Sequence, residues 1–442
     1  MADFVAASST SSGHLPPPPT SEEEGVKRMI ENSAVSPLGL GPTKNAGALL
    51  VSFRALIAPE LSSLPPHRDL VGDGRLLRFL EGYGGDIDEA ADAFRKMVAW
   101  RNSNNLDKIR AEVMGKPLVP ASLPHSENVI KIGRECGGVE PCLYTCLALN
   151  GDLVHLELMG FGDPSVMIER TPEIDLLENF IGFFELRQML FDDLSHSQGR
   201  IVRTVQIRDM SRFTLGILKH HSAVLTFQNI IKSALANYPE SLGRAVCVNS
   251  PTGLPTVWRG ISMFLNKRMQ DKISFLGSEY HEALMTFLPA YAVARLDRFI
   301  ELPYVEQCQP NEPLPAETVQ RRLTVKAGTP SRIYVYVTKA GTRSKVSWNF
   351  TGDEAALKAL SVEVALLRGV VVPNEGRANV ERTAIFEKER VGFDHGCYDM
   401  STERCDEEDG FLELSIDSNA VWFSTAVSVD IVIEGAEEKA ER

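Results

Sequence analysis

Three changes of pattern along 442 residues predict a multidomain chain: a small α-helical module, an α/β domain and a C-terminal antiparallel β-sandwich. From Leu49 to Arg110 apolar residues recur at intervals of three and four, as in Ala90, Ala93, Phe94 and Met97, which is the spacing of short amphipathic helices. Strand-like and helical runs then alternate, the pattern of an α/β sheet with at least one covered face. Beyond Ala316 the period falls to two, so successive side chains turn to opposite faces of antiparallel strands.

Residues 1–45 are rich in Ser, Pro and Gly, including Pro16 to Pro19, and are expected to be a disordered leader with little to bury. Residues 46–115 form the helical module, and Lys116 to Pro124 is a Pro-containing connector. The α/β domain spans 125–300, with strands at Cys142 to Ala148, Val154 to Leu158, Ile201 to Ile207 and Ala245 to Val248. Its clearest helices are Phe180 to Leu194 and Leu215 to Leu235. Prolines and acidic residues mark 301–318 as a linker.

The sandwich occupies 319–436. Ile333, Val335 and Val337 alternate with Tyr334 and Tyr336; Leu412, Leu414 and Ile416 alternate with Glu413 and Ser415; Val427, Val429, Ile431 and Ile433 repeat the pattern. Such strands can close a core of their own, so the region is expected to fold separately from the α/β domain.

A formal net charge of −13 supplies no global field toward nucleic acid or anionic lipid, so either contact would need a local basic patch. Nucleic acid is not an expected partner. The first thirty residues lack a basic segment joined to an apolar run, and Ser21-Glu22-Glu23-Glu24 is wrong for a mitochondrial presequence, which points to a cytoplasmic protein. No apolar run is long enough to span a bilayer, so membrane contact is expected to be peripheral and transient. Seven cysteines make an odd number without a signal segment, hence free thiols. Neither Cys142-x3-Cys146 nor Cys397-x7-Cys405 has zinc-ligand spacing, and no metal is expected.

The most informative stretch is Tyr238-Pro239-Glu240-Ser241-Leu242-Gly243-Arg244, followed by apolar Ala245 to Val248 and Asn249-Ser250-Pro251. A helix ends at Pro239 and a buried strand starts after Gly243. The chain then enters an amphipathic segment with Val257, Trp258, Ile261, Phe264 and Leu265 at helical spacing. Upstream stand Leu76-Leu77-Arg78-Phe79-Leu80, Asp86-Ile87-Asp88-Glu89-Ala90, Met97-Val98-Ala99-Trp100-Arg101 and, between, Asn150-Gly151-Asp152-Leu153-Val154-His155-Leu156-Glu157. Together, in this order, they resemble the CRAL-TRIO lipid-binding family with its N-terminal helical module. In the sandwich, Trp348-Asn349-Phe350, Asp417-Ser418-Asn419 and Trp422-Phe423 resemble a GOLD domain. The combination resembles patellin-like phosphatidylinositol-transfer relatives.

That resemblance implies a lipid cavity floored by the strand after the YPE turn and gated by Val257, Trp258, Ile261, Phe264 and Leu265. It places Glu240 and Lys272 on a pair that recognises an inositol phosphate headgroup. A buried phosphodiester needs a cation, and that cation needs a carboxylate when the lipid is absent. Tyr144, Thr204 and Gln206 fall at positions that hold choline-lipid headgroups. Phe183 and Phe184 line the cavity, with His155, a structural histidine, in place of a pocket tyrosine. The chain departs from the phosphoinositide-binding pattern at Tyr83-Gly84, where Arg-Lys is usual, and at Met269, where Thr is usual. The headgroup stays open between phosphatidylinositol, phosphatidylcholine and another hydrophobic ligand.

A carrier has a physical purpose. Each methylene moved into water costs about 0.8 kcal/mol, so a diacyl lipid leaves a bilayer unassisted only slowly. No nucleophile elbow, H-E-x-x-H helix or phosphate-binding loop occurs in a fitting context, so the protein is expected not to be an enzyme and to need no cofactor beyond its bound lipid. Two functions follow. One is a lipid-binding and transfer protein whose GOLD sandwich acts as adaptor toward a protein partner. The other is a GOLD-centred membrane-trafficking scaffold with a vestigial pocket.

Overall fold

The computed structural model describes residues 19–32, 46–135, 142–159, 164–213, 225, 229, 232–233, 236–254, 258, 262, 267–301, 317–326, 330–338, 345–351, 357–372, 375–390, 395–399, 409–418 and 425–434. The leader is not uniformly without structure: Glu22–Glu31 is a helix, which corrects the expectation for 1–45. Ser21 caps its start by accepting from the Glu24 amide at 3.1 Å, and Glu24 pairs with Arg28 one turn on. Met29 is fully buried in the core of the helical module, and its helix also packs on the long helix Glu173–Gln198. The capping Ser with acidic residues in the first turn was the overlooked signal.

Helices Ala46–Leu56, Asp73–Gly82 and Ile87–Ser103 enclose Phe53, Phe79 and Phe94. Edge-to-face ring pairs at 6.2 and 5.1 Å tie the three together. This core is the expected helical module.

The α/β sheet has the order β1 (Cys142–Leu147), β2 (Leu153–Leu158), β3 (Thr204–Asp209), β4 (Leu242–Val248), β5 (Ile273–Phe275). β1 and β2 are antiparallel; β2 to β5 are parallel. Alternation divides each strand between two faces. Val154, Leu156, Val205, Ile207, Val246 and Val248 enter the core formed with helices His281–Met285 and Ala290–Glu301. Leu153, with Val202 just ahead of β3, lies on the opposite side, packed on Leu190, Phe191 and Leu194 of the long helix.

The C-terminal region is two four-stranded antiparallel sheets, β10-β9-β12-β7 and β11-β8-β13-β6. They run from β6 (Glu317–Val325) through β7 (Ser331–Val337), β8 (Lys345–Thr351), β9 (Leu360–Val372), β10 (Arg377–Arg390), β11 (His395–Asp399) and β12 (Gly410–Ser418) to β13 (Thr425–Glu434). Ile333, Val335, Trp348, Phe350, Leu412, Leu414, Val429 and Ile431 fill the space between the sheets, as the alternation required.

The sandwich is not separate from the α/β domain. Tyr336, Leu367 and Phe411, on the outer face of the first sheet, join the same buried cluster as Leu284, Val293, Leu296 and Val246. His281 stacks on Tyr334 at 3.9 Å and meets the edge of Phe411 at 5.1 Å, and the Ala378 amide donates to the Thr286 carbonyl at 2.8 Å. The sandwich thus closes the core of its own that the alternation implies, and its outer face shares a second core with the α/β domain. On β7, β9 and β12 one side closes the sandwich core, while on the other Tyr336, Leu367 and Phe411 cover the back of the α/β domain and Arg332, Glu363 and Glu413 make the rest of that side charged.

Candidate functional site

The turn Tyr238-Pro239-Glu240 is held from three sides. Glu240 adopts the left-handed conformation, φ 53°, and Ser241 Oγ donates to the Tyr238 carbonyl at 2.7 Å. From helix Asp73–Gly82, Arg75 Nη2 donates to the Asn237 carbonyl at 2.7 Å, and Arg78 Nη1 donates to the Glu240 carbonyl at 2.9 Å. The second Arg78 nitrogen reaches the Val202 carbonyl just before β3, also at 2.7 Å. Both guanidiniums are wholly buried, and burial lowers them to about 10 and about 9 respectively. Carbonyl acceptors replace part of the lost hydration, and for Arg75 the ring faces of Phe79 and Tyr238, 5.2 and 5.4 Å away, add to the single carbonyl.

Tyr238 donates its hydroxyl to Glu185 Oε1 at 2.7 Å. Arg101 holds the same carboxylate at 2.8 Å, and Arg110 bridges Glu185 to Asp69. Burial pushes the Tyr238 hydroxyl well up, reinforced by Glu185. Burial opposes ionisation of Glu185 too, but the two arginines outweigh it and hold the carboxyl below its usual range. The network locks the helical module, the long helix and the turn into one frame.

On that frame stands the expected pair. Lys272 Nζ lies 3.3 Å from Glu240 Oε2 and donates to the Leu242 carbonyl at 2.7 Å. Arg203 and Arg268 each approach the same carboxylate oxygen at 3.1 Å. Arg203 also binds Glu81, whose backbone carbonyl accepts from Arg268. Burial would raise the Glu240 carboxyl, but Arg203, Lys272 and Arg268 bring it below the ordinary value. Burial lowers Lys272 despite Glu240, with both arginines adding to the effect. Three cations thus face two carboxylates at the amino ends of β3, β4 and β5. Such a cluster can accept one anionic oxygen group without stranding a charge.

Arg203, Arg268, Glu81 and the anchors Arg75 and Arg78 were not singled out from sequence. Arg75 and Arg78 flank the Leu76-Leu77 pair within the helical motif, and their burial on the helix face was the missed signal.

The sheet face opposite the His281–Glu301 helices carries the remaining candidates. His155 and Gln206 are register partners, and Glu157 pairs in register with Arg208. Thr204 follows the same alternation. His155 is buried, its ring 5.9 Å from Phe183, and burial lowers it to about 4. Among the described residues neither His155 ring nitrogen nor Thr204 Oγ1 has a hydrogen-bond partner. Glu157 and Arg208 form an ion pair at 2.8 Å. Phe184 turns toward Tyr238, stacked at 5.1 Å, and meets Phe183 at 5.5 Å. This face is more polar than an apolar cavity floor requires.

Tyr144 lies on β1, but its side chain falls outside the described residues. Val257, Ile261, Phe264 and Leu265 also lie outside them. Trp258 is helical, with its ring 5.5 Å from Phe275 on β5, so this member of the expected gate sits beside the strand next to the YPE strand. Among the described residues no cluster suits a metal ion, and no helix is long and apolar enough to cross a membrane.

Residues 169–294 match the family model of the CRAL/TRIO domain. Among curated proteins the chain is 24% identical over 226 residues to the Sec14 cytosolic factor of Schizosaccharomyces pombe, covering 51% of this chain and 73% of that one. It is 23% identical over 250 residues to the CRAL-TRIO domain-containing protein YKL091C of Saccharomyces cerevisiae, covering 56% and 75%. A third relative, the phosphatidylinositol/phosphatidylcholine transfer protein SFH9 of Arabidopsis thaliana, is 22% identical over 249 residues, covering 54% of this chain and 38% of its own. The family match includes the long helix, β3, the YPE turn, β4 and Lys272, and ends before the sandwich. The match thus lies on the segment that carries Glu240, Lys272, Arg203 and Arg268, with Glu81 outside it.

Proposed function

We propose that this chain is a noncatalytic lipid carrier that holds one phospholipid, phosphatidylinositol or phosphatidylcholine, or another hydrophobic ligand, and exchanges it at membranes. The observation that carries this reading is the Glu240 cluster: a buried carboxylate shared by Lys272, Arg203 and Arg268, with cations in excess, inside a CRAL/TRIO segment. Relatives named as cytosolic and phosphatidylinositol/phosphatidylcholine transfer factors support the same reading and a cytoplasmic protein that visits membranes peripherally. The headgroup phosphate would displace part of the Glu240 coordination, while the helix carrying Trp258 opens at the bilayer and closes in water. No cofactor enters this scheme.

The sandwich, which resembles GOLD, serves as an adaptor toward a protein partner or membrane. It packs behind the α/β sheet, on the core of Val246 and Leu296, away from His155 and Gln206, and this placement favours recruitment over pocket lining. Organic extraction of the purified chain, followed by mass spectrometry, tests the carrier reading; a scaffold with a vestigial pocket would yield no lipid. Exchange of fluorescent lipid between vesicles then tests transfer.

A further inference from the structure

Arg187 is a buried cation to which the charged framework gives no counter-ion. It sits on the long helix, 8% exposed, with its guanidinium carbon 4.8 Å from the ring centre of Phe183, 5.0 Å from Phe184 and 5.5 Å from Phe191. These are the residues four and three before it and four after it, so the helix builds an aromatic cradle around the charge. Among the described residues no carboxylate lies within ion-pair distance of it and no carbonyl accepts from it.

The other buried arginines of the domain differ. Arg101 and Arg110 have Glu185 and Asp69, and Arg75 and Arg78 have backbone carbonyls; the partly exposed Arg203 has Glu81 and Glu240. Burial lowers Arg187 to about 10, with only Tyr238 opposing, so it remains charged at neutral pH. An unpaired buried charge is costly, and ring faces recover only part of its lost hydration.

The neighbouring polar groups are also unengaged. Phe183, which cradles Arg187, also touches His155 at 5.9 Å, and Arg187 is among the charges that hold His155 neutral. Among the described residues both His155 nitrogens and Thr204 Oγ1, on the same sheet face, lack partners although His155 is 6% and Thr204 1% exposed. A neutral imidazole offers one donor, a hydroxyl another and the guanidinium a fork of donors.

We propose that Arg187, with His155 and Thr204, binds an anionic oxygen group, carboxylate or phosphate, of an amphipathic ligand held between the long helix and the β2–β3 face. The inference rests on the carrier reading and narrows it, because a guanidinium disfavours the quaternary ammonium of a choline lipid at the positions where sequence resemblance places one. Arg187 is then a selectivity residue for acidic over neutral ligands, separate from the Glu240 cluster.

The test uses the full chain and four single-tailed probes of equal chain length: oleate, oleoyl lysophosphatidate, oleoyl lysophosphatidylcholine and oleyl alcohol. Binding is measured to the wild type and to Arg187→Met, which keeps an apolar stem among the phenylalanines. The wild type should take oleate or lysophosphatidate roughly 10- to 100-fold more tightly than the alcohol, the gain of a charged hydrogen-bonded contact. Arg187→Met should erase that preference while binding the alcohol unchanged, which also reports an intact pocket. Preference for oleate identifies a carboxylate ligand; preference for lysophosphatidate identifies a phosphate. If the wild type binds all four equally, the inference falls and the carrier reading stands. If it binds none, both fall. Should Arg187→Met fail to fold, the wild-type preference alone decides, since an equal affinity for acid and alcohol overturns the proposal.

Discussion

Replacing Lys272 by Ala separates the role of the charged cluster in binding from its role in folding. In the free protein Lys272 supplies one of three cations around Glu240 and one hydrogen bond, 2.7 Å, to the Leu242 carbonyl. Glu240 keeps Arg203 and Arg268 at 3.1 Å after the substitution. The 3 to 5 kcal/mol penalty of a stranded buried charge therefore does not apply, and the stability cost should be about 1 kcal/mol, the orphaned carbonyl. Binding is affected more. The local balance falls from three cations against two carboxylates to two against two, so a phosphate headgroup loses a charge-assisted contact of about 2 to 3 kcal/mol, roughly 30- to 150-fold in affinity. The assay is vesicle exchange of a phosphatidylinositol and a sterol probe, with urea unfolding of the same samples. Unchanged sterol exchange with slowed phospholipid exchange is expected. Equal loss of both, or a stability loss as large as the binding loss, would refute the headgroup role.

The remaining predictions address the gate, the acid limb and the back face. Trp258→Asp with Phe264→Asp should slow exchange between vesicles while bound lipid stays bound; wild-type exchange by a folded double variant would remove this helix from the gate. His155 titrates near 4 in the fold and near 6.5 unfolded, so between those values the unfolded chain binds the extra proton and stability falls as pH drops from about 6.5 to about 4. The total is about 3 kcal/mol. His155→Phe should flatten that part of the stability–pH curve in chemical denaturation, and a curve unchanged from wild type would contradict the burial argument. A chain ending near Ala316 uncovers the core that Tyr336, Leu367 and Phe411 close; it should melt lower or aggregate, and an undiminished melting temperature would restore the view of two independent units.

Much of this architecture was legible because local patterns were strong. The period of two across Ile333 to Val337 and Leu412 to Ile416 required a sandwich, and Gly243 with apolar Ala245 to Val248 required a buried strand. Glu240 and Lys272, singled out by motif spacing, do meet in space. What escaped were relations that no local pattern encodes. Arg203 and Arg268 reach Glu240 from 37 and 28 positions away, because parallel strands bring their amino ends together. Tyr334 and Tyr336 read as the outer side of a free sandwich, whereas β7 lies between two cores. Arg187 read as one residue of a helix, and its isolation from carboxylates appears only once Phe183, Phe184 and Phe191 surround it.

The most direct test of the central claim is to purify the full chain under native conditions, extract it with organic solvent and quantify lipid against protein by mass spectrometry. A carrier with a closed pocket should release about one lipid molecule per chain, enriched in a species with an anionic headgroup and retained through gel filtration. Recovery of no lipid from a folded sample, together with no uptake from vesicles, would contradict it.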